Sequence, residues 1–577
     1  MTWVLGLSGL YHDSAAVLLG NGSIVAAASE ERFSRVKHDA KLPILAARWC
    51  LSEAGISAND VTAVTWYEKP LRKFERILFH QVREFPRSAK AFRRATFSWL
   101  TEKLWVKGAI VDALGVAPDR VLFSDHHLSH AASAFYCSPF TEAAVLTVDG
   151  VGEWATTTLY RGGAAGLELL GEILFPDSIG LVYSAFTAYL GFQVNDGEYK
   201  VMGMAAYGEP RFCEEVRKVL RAGDGGAFDV DLSYVSYHYS AEESHTARLE
   251  SLLGPPRFPG AVFDPTTTEG KRYADIAASV QRVTEDALVA LATELHARTG
   301  LDALCLAGGV ALNTVANRQL LLRTPFKRLY VQPAAGDAGG AMGAALHTWH
   351  EVLGNARSAE RMLNSAGLGQ AWGDDAIATL LADLKIKSER IAAEDVAGRA
   401  ADDIAAGQVI GWFQGRFEWG PRSLGHRSIL ADPRDPHMRE RINAKIKFRE
   451  LFRPFAPSVI AGMEDRYFDL PAGGGYAAEW MLLVATAKTA DFPATTHVDG
   501  TARVHVVREA ANPLFHALLT AFGARSGHPV LLNTSFNLKG EPIVSSPTQA
   551  LATFYRSGLD VLYLGCHRVE QGGPLGE

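Results

Sequence analysis

Four side chains with metal-ligand chemistry are the most informative residues of this sequence. His126 and His130 stand at i and i+4 in DHHLSHAASAF, a spacing that places two side chains on one face of a helix. Asp149 follows the apolar run AVLTV, and Asp337 lies in PAAGDAGGAMG. Two imidazoles and two carboxylates form a harder ligand set than cysteines and suit iron, manganese or zinc. Histidines at this spacing are, in isolation, more often surface or capping residues, but the surrounding glycine-rich loops favour a metal site.

Hairpins indicate the elements that would position these side chains. Residues 3–8 and 15–29 are apolar strands, the second interrupted by Asn21-Gly22, a strong hairpin turn. Residues 143–160 repeat this plan, with Asp149-Gly150 at the position of the first loop. The two hairpins predict a duplicated α/β domain with a phosphate-facing loop in each half.

A third glycine-rich turn lies in ALCLAGGVALNTVANR, which predicts a strand, a turn at Gly308-Gly309 and a helix. Backbone N–H groups at such a turn favour anions, and glycine lets a nucleotide approach closely. A tight strand-to-helix connection would also select glycine. The position of the turn just upstream of Asp337 favours a role in the site.

Length and composition limit the classes of protein to which this chain can belong. A chain of 577 residues predicts at least two domains, and we place the boundary in the Gly, Ser, Ala and Asn-rich stretch 352–376, giving domains 1–355 and 365–577. The content of 48% hydrophobic and 21% charged residues is typical of a soluble globular protein. The net charge of −7 argues against a nucleic-acid partner. Five scattered cysteines without a CxxC pair indicate reduced thiols in a cytoplasmic protein. We expect no signal peptide and no membrane partner, since no apolar run is long enough to span a bilayer.

The segment 68–110 combines aromatic residues with Arg and Lys at helical spacing. This pattern is typical of a helix that lies on a membrane surface or binds a partner. Glu and Pro interrupt the basic run, which favours instead a helical insertion whose aromatic face packs on the core. If the protein is a homodimer, we expect the contact in this segment.

The second domain is rich in basic residues beside glycines and apolar strands. Guanidinium groups in this context suit bidentate binding of phosphate. Runs of Arg and Lys are normally a solvated face, which we assign to Lys445, Arg434 and Arg441. The candidate phosphate ligands are Arg416, Arg422 and Arg427 in QGRFEWGPRSLGHRS, Lys447, Arg449 and Arg453 in NAKIKFRELFRPFAP, and Arg503, with Ser535 and Asn537 after a later strand.

Ten motifs, in order over nearly the whole chain, resemble those of the O-carbamoyltransferases of the nodulation and antibiotic-tailoring type. They are YHDSAA, EERFSRVKH, DHHLSHAASAF, VDGVGEW, GEYKVMGMAAYG, GGVALN, GDAGGAMGAA, GPRSLGHRSILADPR, FRPFAP and NTSFNLKGEPIV. The resemblance implies an α/β protein with an N-terminal Kae1-like domain of the actin/sugar-kinase/Hsp70 superfamily and a C-terminal YrdC-like domain.

The resemblance also implies a two-step reaction. The YrdC-like domain would join carbamoyl phosphate to ATP, with Mg²⁺, releasing pyrophosphate and forming carbamoyladenylate. The Kae1-like domain would then transfer the carbamoyl group to a hydroxyl of a small molecule, such as a secondary metabolite or glycoside. The individual acceptor cannot be read from one sequence.

Residue roles follow from the same resemblance. In the N-terminal domain Fe²⁺, or alternatively Mn²⁺ or Zn²⁺, would be held by the His126, His130, Asp149 and Asp337 set and act as a Lewis acid. His12 would be the general base, with a pKa near the working pH, and Lys37 would act on the phosphate of the adenylate. The remaining ligands of the nucleotide, phosphate and carbamoyl groups would be Gly150, Gly308, Gly309, Asn313, Arg422, Lys447, Arg449, Arg453, Arg503, Ser535 and Asn537.

Two other classes share this architecture. A carbamoyl-handling hydrogenase maturation factor should carry acylphosphatase and Cys-rich zinc-finger segments, and no CxxC is present. A non-catalytic ATP-binding scaffold predicts loss of the metal ligands or of the arginines, and all of them are present. An active enzyme is therefore favoured.

Overall fold

The structure is a computed structural model that describes residues 1–357, 363–450, 452–453 and 455–571. Its contacts divide the chain into two compact units. Unit 1 comprises residues 1–25 and 40–362, and unit 2 comprises residues 26–39 and 363–577. A single boundary in the sequence does not separate the two units, because the short segment 26–39 belongs by its contacts to the second unit. Every helix in the described part of the chain is too short or too polar to cross a bilayer.

The strands that precede the division at residue 362 form two five-stranded sheets and a small hairpin in the described part of the chain. They are β1 (Trp3–Ser8), β2 (Ala15–Gly20), β3 (Ser23–Ser29), β4 (Ala63–Trp66), β5 (Val121–Phe123), β6 (Ala143–Val148), β7 (Ala155–Gly163), β8 (Gly166–Leu174), β9 (Leu220–Ala222), β10 (Phe228–Val230), β11 (Ala303–Ala307) and β12 (Arg328–Val331).

Both large sheets have the same topology. The strand orders are β3-β2-β1-β4-β5 and β8-β7-β6-β11-β12, so a run of three successive strands is followed by two that extend the sheet on the other side. In each, the first strand pairs antiparallel with the second and parallel with the fourth. Asn21 and Gly22 both have positive φ, as the predicted two-residue turn requires. The repeat confirms the predicted duplicated fold of the actin/sugar-kinase/Hsp70 kind.

Helices cover the sheets of unit 1, and the short helix α1 lies in the segment that joins unit 2. The helices are α1 (Glu31–Ser34), α2 (Ile44–Glu53), α3 (Pro70–Arg83), α4 (Ala89–Thr101), α5 (Val106–Leu114), α6 (His126–Phe135), α7 (Ile179–Tyr189), α8 (Glu198–Ala205), α9 (Cys213–Val219), α10 (Ala247–Leu253), α11 (Thr268–Thr299), α12 (Thr314–Arg323) and α13 (Asp337–His347).

Glycines let α6 and α13 pack closely. A Cβ atom at Gly343 of α13 would lie 1.6 Å from the carbonyl oxygen of Ser129 in α6, and one at Gly6 of β1 would lie 1.9 Å from that of Ala341. Only glycine permits these approaches. The motif GDAGGAMGAA therefore brings the start of α13 beside the start of α6, where the candidate ligands lie.

The segment 68–110 is helical, as predicted, but its aromatic face does not pack on the core. Phe74 and Trp99 stack between α3 and α4, with ring centroids 5.8 Å apart. In contrast, Phe79 and Phe97 are 52% and 72% exposed. The inward face of α3 is polar, because it lies against the charged residues of the site described below. The packing interpretation is therefore wrong for most of the apolar side chains.

Unit 2 is a three-layer α/β structure. Its described strands form an eight-stranded sheet in the order β13-β23-β22-β14-β15-β21-β16-β20 and a small sheet β17-β18-β19. The strands are β13 (Glu389–Arg390), β14 (Ile410–Phe413), β15 (Arg427–Ala431), β16 (Ala456–Ile460), β17 (Phe468–Asp469), β18 (Val484–Ala487), β19 (Thr501–Arg503), β20 (His505–Val507), β21 (Val530–Ser535), β22 (Val561–Leu564) and β23 (His567–Glu570). The helices are α14 (Asp374–Asp383), α15 (Val396–Ala405), α16 (Met438–Ile442), α17 (Glu464–Tyr467), α18 (Gly475–Ala478), α19 (Pro513–Ser526) and α20 (Pro547–Tyr555).

The core of unit 2 lies on both faces of its large sheet. Along β14, Trp412 packs with α15 and α19, whereas Phe413 packs with α14, α16 and α20 on the opposite face. Successive side chains of a strand point to opposite faces, so a strand that is apolar throughout requires a layer on each side. This confirms the predicted α/β C-terminal domain.

Candidate active sites

The structure brings His126, His130, Asp149 and Asp337 together in unit 1. One ligand atom of each lies within 4.8 Å of the others. The Nε2 atoms of the two histidines are 3.1 Å apart, and that of His126 is 3.0 Å from Asp149 Oδ2. Nε2 of His130 is 3.5 Å from Asp337 Oδ1. The predicted tetrad is therefore one compact, largely buried cluster.

Local structure explains each position. His126 opens α6, and His130 follows one turn later on the same face. Asp149 comes directly after β6, and Asp337 is the first residue of α13, so the tetrad lies at the beginning of two helices and the end of one strand. The N–H group of Gly309 donates to Asp149 Oδ1 at 2.8 Å and fixes the orientation of this carboxylate.

The four residues fit a divalent metal ion. Ligands about 2.1 Å from a tetrahedral centre are separated from one another by about 3.4 Å. The separations between Nε2 of the two histidines and the nearest aspartate oxygens, from 3.0 to 3.9 Å, bracket this value. Two neutral imidazoles and two carboxylates also match the charge of a divalent ion. The donor set suits Fe²⁺, Mn²⁺ or Zn²⁺ and does not select among them.

Electrostatic interactions within the tetrad shift the pKa values of its residues. Burial by itself would raise the pKa of Asp149, but the hydrogen bond from His126 and the charge on His130 hold it well below its usual range. Burial disfavours charge on His126, yet the bond to Asp149 and the charge of Asp337 raise its pKa overall. The carboxylates of the tetrad therefore favour the protonated form of His126.

His12 lies beside the tetrad, with Nε2 3.7 Å from Asp337 Oδ2. Burial lowers its pKa, but the carboxylates of Asp337 and Asp13 prevail and raise it to about 9. This pKa is higher than the value near the working pH that we expect of a general base. A divalent cation on Asp337 would oppose this effect by offsetting the negative charge that causes it.

A polar shell behind the tetrad was missed by sequence reasoning. Glu153 accepts hydrogen bonds from the backbone N–H groups of His126 and Lys69, at 3.1 and 2.7 Å. Oε2 of Glu68 lies 3.9 Å from Nδ1 of His126 and accepts a 2.5 Å bond from Lys73. Glu153 lies in the same VDGVGEW motif as Asp149, a signal that was available. No local pattern marks Glu68 or Lys73.

Arg76 also belongs to this shell and is 6% exposed. Its guanidinium carbon lies 4.8 Å from the ring centre of Phe175, and its Nε is buried without a hydrogen-bond partner in the described residues. Burial lowers its pKa to about 10, while Tyr11, Glu68 and Glu153 act in the opposite direction. A buried guanidinium with an unmet donor is an available ligand for an oxygen of a bound molecule.

The predicted nucleotide residues of unit 1 differ in what they can offer. Gly308 has φ +93°, and a Cβ there would lie 2.2 Å from the carbonyl oxygen of Val148, so this turn requires glycine. A Cβ on Gly150 would meet only Leu181, at 3.6 Å. Asn313 caps α12 and exchanges two side-chain hydrogen bonds with Gln281, at 3.0 and 3.1 Å. Its side chain therefore has an internal role, and a bound nucleotide would have to compete with Gln281.

Lys37 lies in the segment 26–39, which belongs to unit 2 by its contacts. It is half-buried in the loop that follows α1. The role expected of Lys37, contact with the phosphate of the adenylate, stays a prediction.

Unit 2 contains a cluster of like charges formed by Arg422, Lys447, Arg449, Arg453 and Arg503. Burial, followed by repulsion from Arg422, Arg449 and Arg453, holds the pKa of Arg503 well below its usual range. Nε of Arg503 is buried without a hydrogen-bond partner in the described residues. Among the predicted phosphate ligands, these five come together. Cations that repel one another in a buried place form a site for an anion.

Lys447 joins this cluster to the two predicted polar ligands. Its ammonium group donates to Oδ1 of Asn537 at 2.7 Å, to the hydroxyl of Ser535 at 3.3 Å and to the backbone carbonyl of Ser535. The hydroxyl of Ser535 donates to Oδ1 of Asn537 at 2.8 Å. Burial, then Arg449 and Arg453, lower the pKa of Lys447 well below its usual value. The three residues form a fixed polar wall beside the arginines.

Arg427 does not belong to the anion site. It is fully buried and stacks 3.6 Å from the ring centre of Phe413, and it donates to the carbonyl oxygens of Gln414 and Gly415 at 2.6 and 2.9 Å. Its interpretation as a phosphate ligand is wrong, because its donors already bind backbone oxygens. Arg434 and Arg441 pair with Asp432 and Asp560 at 2.7 and 2.6 Å, as expected of a surface role.

Models of one protein family match both halves of the chain. Residues 3–346 match the family model of the carbamoyltransferase N-terminus, and residues 401–571 match that of the carbamoyltransferase C-terminus. An uncharacterized protein of Synechocystis is 44% identical over 98% of this chain and 96% of its own length. The nodulation protein NolNO of Sinorhizobium fredii is 37% identical over 97% of this chain and 79% of its own length. The 3'-hydroxymethylcephem-O-carbamoyltransferase of Amycolatopsis lactamdurans is 32% identical over 45% of this chain and 48% of its own length. The resemblance predicted from ten motifs is confirmed, and the chain belongs to the carbamoyltransferase family of transferase enzymes.

Proposed function

We propose that this protein is an ATP-dependent O-carbamoyltransferase that forms carbamoyladenylate in unit 2 and transfers the carbamoyl group to an alcohol in unit 1. The acceptor is the hydroxyl of a small molecule, such as a secondary metabolite or glycoside. The observation that supports the proposal is the position of Lys447, whose ammonium group binds Ser535 and Asn537 and is repelled by the nearby charges of Arg449 and Arg453. Carbamoyl phosphate and the triphosphate of ATP carry negative charge that would relieve this repulsion, which a small neutral ligand would not.

The first step joins the carbamoyl group to the α-phosphate of ATP. The phosphate of carbamoyl phosphate leaves to water as inorganic phosphate, and an oxygen of the resulting carbamate attacks the α-phosphorus of ATP. The bond to the β-phosphate breaks, and pyrophosphate departs with Mg²⁺. Negative charge gathers on the leaving group, and Arg422, Arg449 and Arg503 offset it. Ser535 and Asn537 orient the amide of the carbamoyl group, and half-buried surroundings limit its decomposition by water.

In the second step the acceptor hydroxyl attacks the carbamoyl carbon, and AMP leaves. His12 receives the hydroxyl proton at one of its ring nitrogens, and Asp13, 3.1 Å from Nδ1, orients the imidazole. Arg76 offers its unmet donor to an oxygen of the bound molecule. His126, His130, Asp149 and Asp337 would hold a divalent metal ion, which would supply a Lewis acid for the carbonyl or phosphate oxygen.

The test is a pyrophosphate-release assay with ATP, Mg²⁺ and carbamoyl phosphate, without any acceptor. We expect one pyrophosphate and one inorganic phosphate for each carbamoyladenylate. Arg422→Ala and Ser535→Ala should abolish the release, whereas Arg441→Ala, which removes an arginine paired with Asp560, should retain it. Appearance of ADP as the only nucleotide product would refute the adenylate route.

A further inference from the structure

Helix α3 buries three of its basic residues and exposes several of its apolar residues. Lys73, Arg76 and His80, spaced by three and four residues, are buried, whereas Leu71 and Val82 are 73% and 62% exposed. An amphipathic helix of a globular protein normally shows the opposite arrangement. The burial of charge on the inward face of α3 has a local cause, because Lys73 pairs with Glu68, which lies behind the tetrad. On the outward side Phe79 contacts Trp154, with ring centroids 5.7 Å apart, whereas Leu71 and Val82 remain largely exposed.

The exposed apolar face continues along the helical hairpin of α3 and α4 and into the turn that follows it. Single exposed apolar side chains are common, but a concentration of them in one segment marks an interaction surface. The large apolar side chains that are at least half exposed between residues 70 and 105 are Leu71, Phe79, Val82, Phe85, Phe97, Leu100 and Trp105.

The same segment is strongly basic. Residues 69–107 contain eleven Lys and Arg against three Glu, in a chain whose net charge is −7. Lys90, Arg93 and Arg94 on α4 are exposed, and none forms an ion pair with an acidic residue in the described part of the protein. Positive charge beside exposed aromatic residues is therefore a property of this surface and not of the chain as a whole.

We propose that the α3–α4 hairpin docks on an anionic lipid bilayer. Leu71, Phe97 and their neighbours would enter the boundary between headgroups and acyl chains, and Arg93 and Arg94 would bind the negative headgroups. A second copy of this chain fits less well, because a symmetric contact through the same surface would bring like charges together. This proposal replaces the expectation of no membrane partner, which was based on the lack of an apolar run long enough to span a bilayer.

The experiment is co-sedimentation of the full chain with vesicles of phosphatidylglycerol and phosphatidylcholine, compared with vesicles of phosphatidylcholine alone. We expect binding to the anionic vesicles only, and its loss at about 1 M salt, where charges are screened within about 3 Å. The double variants Leu71→Ser/Phe97→Ser and Arg93→Glu/Arg94→Glu should each lower the partition coefficient at least about tenfold. The control Phe258→Ser/Val262→Ser, which changes side chains 79% and 93% exposed elsewhere in unit 1, should bind as the unmodified protein does.

Two results would overturn the proposal. The first is equal sedimentation with neutral and anionic vesicles, or with neither. The second is a dimer in light scattering that Leu71→Ser/Phe97→Ser converts to a monomer, which would assign the surface to a second copy. Thermal unfolding of each variant, unchanged relative to the unmodified protein, shows that lost binding reflects the surface and not the fold.

Discussion

Replacing His130 by alanine should strip the metal ion from unit 1, whereas the same change at His127 should leave it bound. The two histidines lie on the same helix, and both are buried. Nε2 of His130 points into the tetrad, 3.5 Å from Asp337. Nδ1 of His127 instead forms a 2.6 Å hydrogen bond with Thr147, and burial lowers its pKa to about 3. The pair therefore separates loss of a ligand from loss of a buried imidazole.

The expected magnitude follows from the number of ligands. Structural zinc sites with four protein ligands bind with about 10–16 kcal/mol, so one ligand contributes about 3 kcal/mol, or about 150-fold in affinity. His130→Ala should lower the metal affinity by at least this factor, because the remaining histidine and two carboxylates form an incomplete shell. His127→Ala should change it by less than about threefold, although its cavity will cost stability.

Metal content after dialysis, measured by elemental analysis, and competition titration with a chromophoric chelator provide the readout. Chelation should lower the thermal midpoint of the unmodified protein and of His127→Ala, and should not change that of His130→Ala. Carbamoyladenylate formation should persist in His130→Ala while transfer to an alcohol fails. If His130→Ala retains one tightly bound ion, the tetrad is not a metal site.

Two further predictions concern unit 2. Lys447 and Arg503 have pKa values below their usual ranges, so the unfolded chain binds more protons at neutral pH, and unfolding free energy should rise with pH between about 7 and 10. Pyrophosphate should flatten this dependence in denaturant titrations, and Arg503→Met should stabilise the ligand-free protein while abolishing the effect of pyrophosphate; a steeper dependence with pyrophosphate would contradict the model. Arg427→Met should lower the unfolding free energy by about 2–4 kcal/mol, because it leaves buried carbonyl oxygens unpaired, and Arg427→Lys should not restore it. A change below about 0.5 kcal/mol by calorimetry would show that Arg427 is not structural.

The hairpins and the tetrad could be predicted because their signals are local. Asn21-Gly22 specifies its own turn, and His126 and His130 share a face through helix geometry alone. The pairing of Gly309 with Asp149 depends on β6 and β11 lying side by side, which the duplicated plan also implies. The position of Asp149 and Asp337 beside the two histidines, in contrast, depends on packing between distant parts of the chain.

Other features could not be predicted, because tertiary contacts decide them. The apolar period of α3 indicates a face, but whether that face is buried depends on the charged site on the other side of the helix. Arg422 and Arg427 stand in the same Gly/Arg-rich segment, yet Arg427 begins the inner strand β15, where the carbonyl oxygens of Gln414 and Gly415 accept its hydrogen bonds. Lys37 follows a strand of the first sheet and nevertheless belongs by its contacts to unit 2.

The two sites solve the problem of buried charge in opposite ways. In unit 1, the hydrogen bond between His126 and Asp149 raises the pKa of the imidazole and lowers that of the carboxylate, so each group favours the charged form of the other. In unit 2, Arg422, Lys447 and Arg503 have charges of the same sign when protonated, and burial together with repulsion from neighbouring arginines lowers the pKa values of Lys447 and Arg503. The free protein must therefore bear an electrostatic cost in unit 2 that an anionic substrate removes. An anionic substrate therefore gains binding energy by relieving this repulsion, and a neutral molecule does not. This difference makes unit 2 selective for anions before any chemistry begins.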